Sequence, residues 1–247
     1  MATTTSTTSR SLADRLVDRH LNSLPTEALL LPDSFFIGEI TALLTRSIED
    51  RALVVMDAGI DPHHVVLDGG RYRGDRLASC IDGASTLRTV TRTVIPARLQ
   101  TDAYRGVVRA ACAPAATTFP SDWRPRPAQP TTLMLDEFAL LRPCGGPRVM
   151  AEQLRHLQAL EAEGSVVVRI LPADTLLPAP GGLFHEIVHP SGGPLYATED
   201  GVTVLYQRGP HAAALRRYMD RYEQAALLPA VSRKRLAEAA DAMEAKV

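Results

Sequence analysis

Cysteine, net charge and long hydrophobic runs are all scarce in this chain of 247 residues. Cys80, Cys112 and Cys144 are isolated and odd in number, which argues against a disulfide framework and favours a reducing compartment. Lysine and arginine (27) almost balance aspartate and glutamate (28), so no overall positive charge favours nucleic acid or an anionic membrane. No apolar run could span a membrane, and the Thr- and Ser-rich N-terminus lacks the apolar segment of a secretory signal. The sequence therefore predicts a cytoplasmic protein without a membrane partner.

Patterns that bind nucleotides or activate a serine are also missing. The chain has no G-x-S-x-G nucleophile elbow, no G-x-G-x-x-G after a strand and no phosphate-binding G-x-x-x-x-G-K-[ST] loop. The sequence therefore favours neither a serine hydrolase nor a nucleotide-dependent enzyme, and we expect no cofactor.

Composition and pattern divide the chain into three parts. Apolar residues make up 45% of the sequence and charged residues 22%, which is enough for a sizeable core. Residues 1–10 are expected to form a disordered tail, because they are almost entirely threonine and serine. Residues 11–79 are expected to form a divergent, mainly helical region with helices at 11–24 and 34–51, and residues 80–247 an α+β domain.

The α+β domain is expected to centre on one helix. It should follow the break at Gly145, Gly146 and Pro147, because apolar residues recur there at helical spacing as far as Gly164. Further helices are predicted at 76–91, at 211–228 and from the N-cap Ser232, and strands at 166–171, 183–189, 195–198 and 202–207. The short turns between the strands favour antiparallel pairing. The predicted fold is α+β, with an antiparallel sheet of about four to five strands covered by helices.

Several segments together resemble a known family. They are IPARLQTDAYRGVVRA, LMLDEFALLRPCGGPRVMAEQLRHL, VVVRILPAD, LFHEIVHP, PLYATED and RRYMDRYEQAALLPAVSRKRLAEAA. Over roughly residues 80–245 the chain resembles the actinobacterial antitoxin-like domain of unknown function that follows the helix-turn-helix in WhiJ-type transcriptional regulators of the Xre class. The resemblance implies a domain that senses a signal or binds a partner protein.

The chain also departs from the family pattern. Residues 1–75 contain no convincing helix-turn-helix, because they have no Gln-rich recognition helix and run into a Val- and Gly-rich segment. Ala97 and Arg98 stand where the family usually has glycine and leucine, and His185 and His189 stand in a strand that is apolar in the family. DNA binding is therefore not expected for this chain.

The segment LFHEIVHP contains a motif that is typical of zinc proteases. His185, Glu186 and His189 match H-E-x-x-H, in which two histidines one helical turn apart chelate zinc and the glutamate is the general base. Gly182 and Pro190 leave little room for a helix, and a residue before proline is pushed away from helical conformation. In a strand the two Cα atoms would lie about 13 Å apart, which is too far for one ion. We therefore expect a strand carrying two surface or pocket histidines, and no metal.

Three other residues are candidates for binding. Asp136 and Glu137 could supply a carboxylate to a cleft, although a helix cap or ion pair is the simpler interpretation. Cys144 could be a reactive thiol, although free cysteines are usually small buried apolar residues.

Two functions from different classes remain open. The first is a regulatory protein, derived from an antitoxin-like regulator without its DNA-binding module, that binds a small molecule or a protein partner. The second is an enzyme of actinobacterial specialised metabolism, of the cyclase, isomerase or hydrolase type, that reuses the same pocket. Its candidate catalytic residues are His185, Glu186, His189, Tyr196 and Tyr206. A homodimer is compatible with either function.

Overall fold

The structure is a computed structural model that describes most of the chain after residue 72. The described residues are 53–54, 65–68, 73–112, 123–125, 129–177, 182–190, 193–201, 203–209 and 212–247. The tail expected at 1–10 and the helices expected at 11–24 and 34–51 lie outside these residues.

Eight strands form one mixed sheet. They are β1 (Leu53–Val54), β2 (Val65–Asp68), β3 (Thr86–Thr91), β4 (Thr131–Asp136), β5 (Val167–Leu171), β6 (Leu183–Val188), β7 (Pro194–Glu199) and β8 (Val204–Gln207). Their order across the sheet is β1-β2-β8-β7-β6-β3-β4-β5, and six of the eight come from residues 86–207. Strand β4 runs parallel to both β3 and β5, whereas the other pairs are antiparallel. The expectation of an antiparallel sheet of about four to five strands is therefore wrong, although the α+β class holds.

The parallel strands follow from a segment that the sequence pattern assigned to a helix. The helix expected at 76–91 ends at Asp82, and Thr86–Thr91 forms the strand β3 instead. Threonine and valine in this segment favour the extended conformation, and Leu87 and Thr89 are buried while Arg88 between them is partly exposed. Helical crossovers then join β3 to β4 and β4 to β5, and such crossovers return the chain parallel to the strand it left.

Six helices are described. They are α1 (Arg73–Asp82), α2 (Asp102–Cys112), α3 (Glu137–Leu141), α4 (Pro147–Ala162), α5 (Ala212–Ala225) and α6 (Pro229–Glu244), with a short 3-10 turn at Ala97–Leu99. The helix expected after the glycine pair is confirmed as α4, with Pro147 at its first turn and Gly164 at φ +74° just after its end. Among the residues that the structure describes, no helix is both long and apolar enough to cross a membrane.

The helices cover both faces of the sheet, which we call the α5 face and the α1 face. On the α5 face, Met219 and Tyr222 of α5 pack on Phe184 and Tyr196 of the sheet. The α1 face carries two apolar clusters. One packs residues of α1 against β3, β6, β7 and β8 (Leu77, Ile81, Leu87, Ile187, Ala197, Val204), and the other packs α4 and α6 against β4 and β5 (Leu133, Leu135, Leu154, Leu157, Ile170, Leu236).

The outer edge of β5 is closed by Ser232 of α6 and by the backbone just before that helix. Ser232 is not the N-cap expected from the sequence, because α6 begins at Pro229 and Ser232 lies in its first turn. Its hydroxyl oxygen accepts a hydrogen bond from the backbone N–H of Ile170 (3.0 Å) and donates one to the carbonyl of Leu227 (3.1 Å). The N–H of Ile170 is thus occupied, and its carbonyl accepts the N–H of Leu227 (2.8 Å), so neither group is available to pair with another strand.

Candidate functional site

The H-E-x-x-H segment lies on a strand. The strand expected at 183–189 is confirmed as β6, Leu183–Val188, so successive side chains point to opposite faces of the sheet. His185 faces α1 and Glu186 faces α5, as their contacts below show. Within the described part of the chain, no group of three or more His, Cys, Asp or Glu side chains could hold a metal ion. The geometry therefore does not provide a zinc protease site in these residues.

Glu186 belongs to a network of charges under α5. Its carboxylate is paired with Arg88 on β3 and accepts a 2.5 Å hydrogen bond from the hydroxyl of Tyr196. Arg88 also donates to Asp220 (3.0 Å) and Glu223 (2.6 Å) of α5. Burial disfavours the charged guanidinium, but the hydrogen bonds that it donates to the carboxylates outweigh burial and raise the pKa of Arg88. Burial and the bond to Glu186 raise the pKa of Tyr196. The network ties α5 to β3, β6 and β7.

The remaining candidate catalytic residues lie on the other face. Tyr206 is buried in the apolar cluster under α1. His189 follows the end of β6 and lies close to Gly83, which comes just after α1. A Cβ atom on Gly83 would lie only 2.9 Å from Nε2 of His189. The five residues proposed from the sequence are therefore divided, with His185, His189 and Tyr206 on the α1 face and Glu186 and Tyr196 on the α5 face.

Asp136 and Glu137 have structural partners at the carboxyl end of β4. Asp136 caps α3, because its Oδ1 accepts the backbone N–H of Phe138 (2.9 Å), and its Oδ2 is paired with Arg92 (2.8 Å). Glu137 accepts the backbone N–H of Ala173 (3.1 Å). The cap and the ion pair that the sequence favoured for Asp136 are thus present.

Cys144 lies between α3 and α4 and packs against the cluster of α4 and α6. Its neighbour Tyr104 is almost fully buried, and burial raises the pKa of that tyrosine to about 12, with a further contribution from Cys144. None of the three residues proposed for binding lines the pocket between α1 and the sheet.

A pocket lies on the α1 face, between α1, the 3-10 turn and strands β3, β4, β6 and β7. In this conformation the pocket is narrow, with an internal volume of about 10 Å³. Most of its lining is apolar: Leu77, Ile81, Leu87, Pro96, Ala97, Leu99, Trp123, Leu133 and Leu183. The polar residues of the lining are Thr89, Arg98, Thr131, His185 and Glu199. A mostly apolar pocket with a few converging polar groups is typical of small-molecule sites.

His185 brings a buried imidazole to the pocket wall. Its side chain is 3% exposed, and its Nδ1 lies 3.0 Å from the hydroxyl oxygen of Thr89, its partner residue on β3. Its Nε2 is buried and has no hydrogen-bond partner among the described residues. Burial, with a smaller contribution from the positive charge of Arg98, lowers the pKa of His185 to about 3. The imidazole is therefore neutral at physiological pH.

Arg98 is held by residues that come from distant parts of the sequence. Its guanidinium donates to Gln129 (2.9 Å) and lies 5.7 Å from the ring centre of Trp123. Trp123 in turn donates its indole N–H to Asp82 at the end of α1 (2.9 Å). No local sequence pattern predicts Thr89, Trp123 or this arrangement. The one signal in the sequence is that Ala97, Arg98 and His185 depart from the family pattern, and all three line the pocket.

Comparison with known proteins identifies the domain without assigning it an activity. No curated protein matches the sequence. A solved structure described as that of TrmBL2, an archaeal chromatin protein with a novel mode of DNA binding, is similar at 14% identity and a TM-score of 0.34. The alignment covers 76% of this chain and 60% of that one, so this chain spans less than two thirds of that protein's length. A family model matches residues 75–238, and the chain therefore belongs to the family described as a domain of unknown function, DUF5753.

Proposed function

We propose that this domain is a regulatory module that binds a small molecule in the pocket at His185. The observation that carries the proposal is the buried Nε2 of this histidine, which lines an apolar pocket and has no hydrogen-bond partner among the described residues. A buried polar atom without a partner is unfavourable by about 1–3 kcal/mol. A ligand that bonds to Nε2 would remove this penalty, and the apolar walls would bind the rest of the molecule.

The sheet offers a route from the pocket to α5. Thr89 and His185 are opposite each other on β3 and β6, and the next pair along the same two strands is Arg88 and Glu186. The first pair faces the pocket, whereas the second faces α5 and holds it through the carboxylates of that helix. A ligand that shifts or stiffens the first pair would act directly on the second. This adjacency is the reason for proposing regulation and not binding alone.

The relationship to WhiJ-type antitoxin-like regulators is part of the proposal, and it suggests that the output is a contact with another macromolecule. An enzyme that uses His185, Glu186 and Tyr196 together has weaker support, because Glu186 and Tyr196 lie across the sheet from His185. A histidine with a pKa near 3 is also a poor general base at neutral pH.

Native mass spectrometry of the purified protein tests the proposal. We expect a non-covalent adduct of a small molecule in the wild-type protein. Ala97→Phe should abolish the adduct, because Ala97 lines the pocket and a phenyl ring would fill the space beside it. Ala103→Phe is the matched control, because Ala103 is exposed on α2 and does not line the pocket. An adduct that persists in Ala97→Phe, or its absence from all three proteins, would contradict the proposal.

Hydrogen exchange tests the regulatory part separately. Release of the adduct should speed exchange in α5 (Ala212–Ala225), which the charge network holds on the opposite face from the pocket. If exchange changes only in α1 and β6, which line the pocket, the protein binds its ligand without signalling through α5.

A further inference from the structure

The hydrogen bond between Thr89 and His185 determines which ring nitrogen carries the proton. The described part of the chain gives the Thr89 hydroxyl one hydrogen-bond partner, Nδ1 of His185. If Thr89 donates this bond, its proton is satisfied and the ring proton is on Nε2. If Nδ1 donates instead, the hydroxyl proton of Thr89 and the lone pair of Nε2 are both buried without partners. The first arrangement leaves one unsatisfied group and the second leaves two, so Nε2 carries the proton and is a donor.

The charges of the lining indicate what kind of acceptor this donor meets. Arg98 brings a positive charge to the pocket and Glu199 a negative one, and both residues are buried. The two charges are opposite in sign, so the lining as a whole favours neither an anion nor a cation. The leucine walls disfavour burial of a charge that is not directly paired. A neutral acceptor avoids this cost.

We infer that the pocket takes a small uncharged molecule with an apolar body and a carbonyl oxygen that accepts a hydrogen bond from Nε2–H of His185. The inference rests on the proposed function, because it assigns a ligand class to the same pocket. A ketone, ester, lactone or amide fits this description. A carboxylate or an amine does not. Because the pocket is narrow, side chains of its walls must move to admit such a molecule. The carbonyl then lies between Thr89, Arg98 and His185, and the apolar part lies against Leu77, Leu87 and Leu133.

Three probes of one shape test the inference. They are 3-methyl-2-butanone, isobutyrate and isobutyramidinium, which share a branched six-atom skeleton and differ in charge. Calorimetric or NMR titrations of the full chain should show that the ketone binds in the millimolar range, and that the two ions bind at least about tenfold more weakly. His185→Phe should weaken ketone binding about tenfold while keeping the apolar wall. Thr89→Val should weaken ketone binding severalfold. Without the hydroxyl of Thr89, the ring proton can move to Nδ1, and Nε2 is then no longer a donor.

The outcomes separate this inference from the proposed function. If isobutyrate binds as tightly as the ketone, or if ketone binding is unchanged in both variants, the ligand class is wrong while small-molecule binding stands. If none of the probes binds, the inference fails. The same result together with no adduct in native mass spectrometry would remove the proposed function as well.

Discussion

His185 makes the stability of the fold sensitive to acid, because the folded protein keeps its imidazole neutral. Its pKa is lowered to about 3 in the folded protein, whereas an unfolded histidine has a pKa of about 6.5. Between these two values the unfolded chain binds a proton that the folded chain does not, so the free energy of unfolding falls as the pH falls. The contribution of this one residue is about 1.4 kcal/mol per pH unit, or about 2 kcal/mol at pH 5.

Urea unfolding of the wild-type protein and His185→Phe at about pH 7.5 and pH 5 measures this contribution. Protonation of carboxylates lowers the stability of both proteins, so the quantity of interest is the difference between them. The free energy of unfolding should fall by about 2 kcal/mol less in His185→Phe. His156→Phe is a useful comparison, because burial also lowers the pKa of His156 but its side chain is only partly buried. Equal falls in the wild-type protein and His185→Phe would refute the reasoning.

Three further predictions concern groups that hold the fold together, and urea unfolding at neutral pH checks each of them. Arg88→Met leaves the buried carboxylate of Glu186 without its ion-pair partner and should lower the free energy of unfolding by about 3 kcal/mol. Arg148→Met removes an exposed ion pair and should change this free energy by about 0.5 kcal/mol or less. Equal effects of the two substitutions would contradict a role for burial. Ser232→Ala removes the acceptor of the Ile170 N–H and should lower the free energy of unfolding by about 1–3 kcal/mol; no change would mean that another group replaces the hydroxyl. Asp136→Ala removes a cap and an ion pair, with an expected loss of about 1–2 kcal/mol, whereas a loss below about 0.5 kcal/mol would contradict the capping role.

Local sequence patterns predicted some elements of this fold well. The helix α4 could be predicted because glycine and proline mark its start and apolar residues recur along one face. The strand β6 could be predicted because Gly182 and Pro190 bound a segment too short for a stable helix. The strand β3 could not be predicted, because Leu77 and Ile81 lie at helical spacing, and the single Gly83 that follows them is compatible with a helix that continues. The parallel pairing of β3 with β4 depends on which strands meet in the folded protein, and local periodicity does not contain that information.

The candidate site could be predicted only in part, for a related reason. His185 and Glu186 suggested one catalytic group because both belong to the H-E-x-x-H match. Adjacent residues of a strand face opposite sides of the sheet, so the two form separate contacts. The pocket instead combines His185 with Thr89 from β3 and with Arg98 from the 3-10 turn, about ninety positions away in the sequence. Only the tertiary structure brings these three residues together.

His185 is a neutral, buried hydrogen-bond donor in the pocket on this account. NMR of the histidine side chains tests this property most directly. Long-range proton–nitrogen correlation spectra of ¹⁵N-labelled protein distinguish the two neutral tautomers from the protonated ring, and His185→Phe assigns the signals. We expect the proton on Nε2 at about pH 7, no protonation of Nδ1 at about pH 5, and a shift of the Nε2 signal when 3-methyl-2-butanone is added. A proton on Nδ1, a doubly protonated ring at about pH 5, or an Nε2 signal that the ketone leaves unchanged would contradict the account.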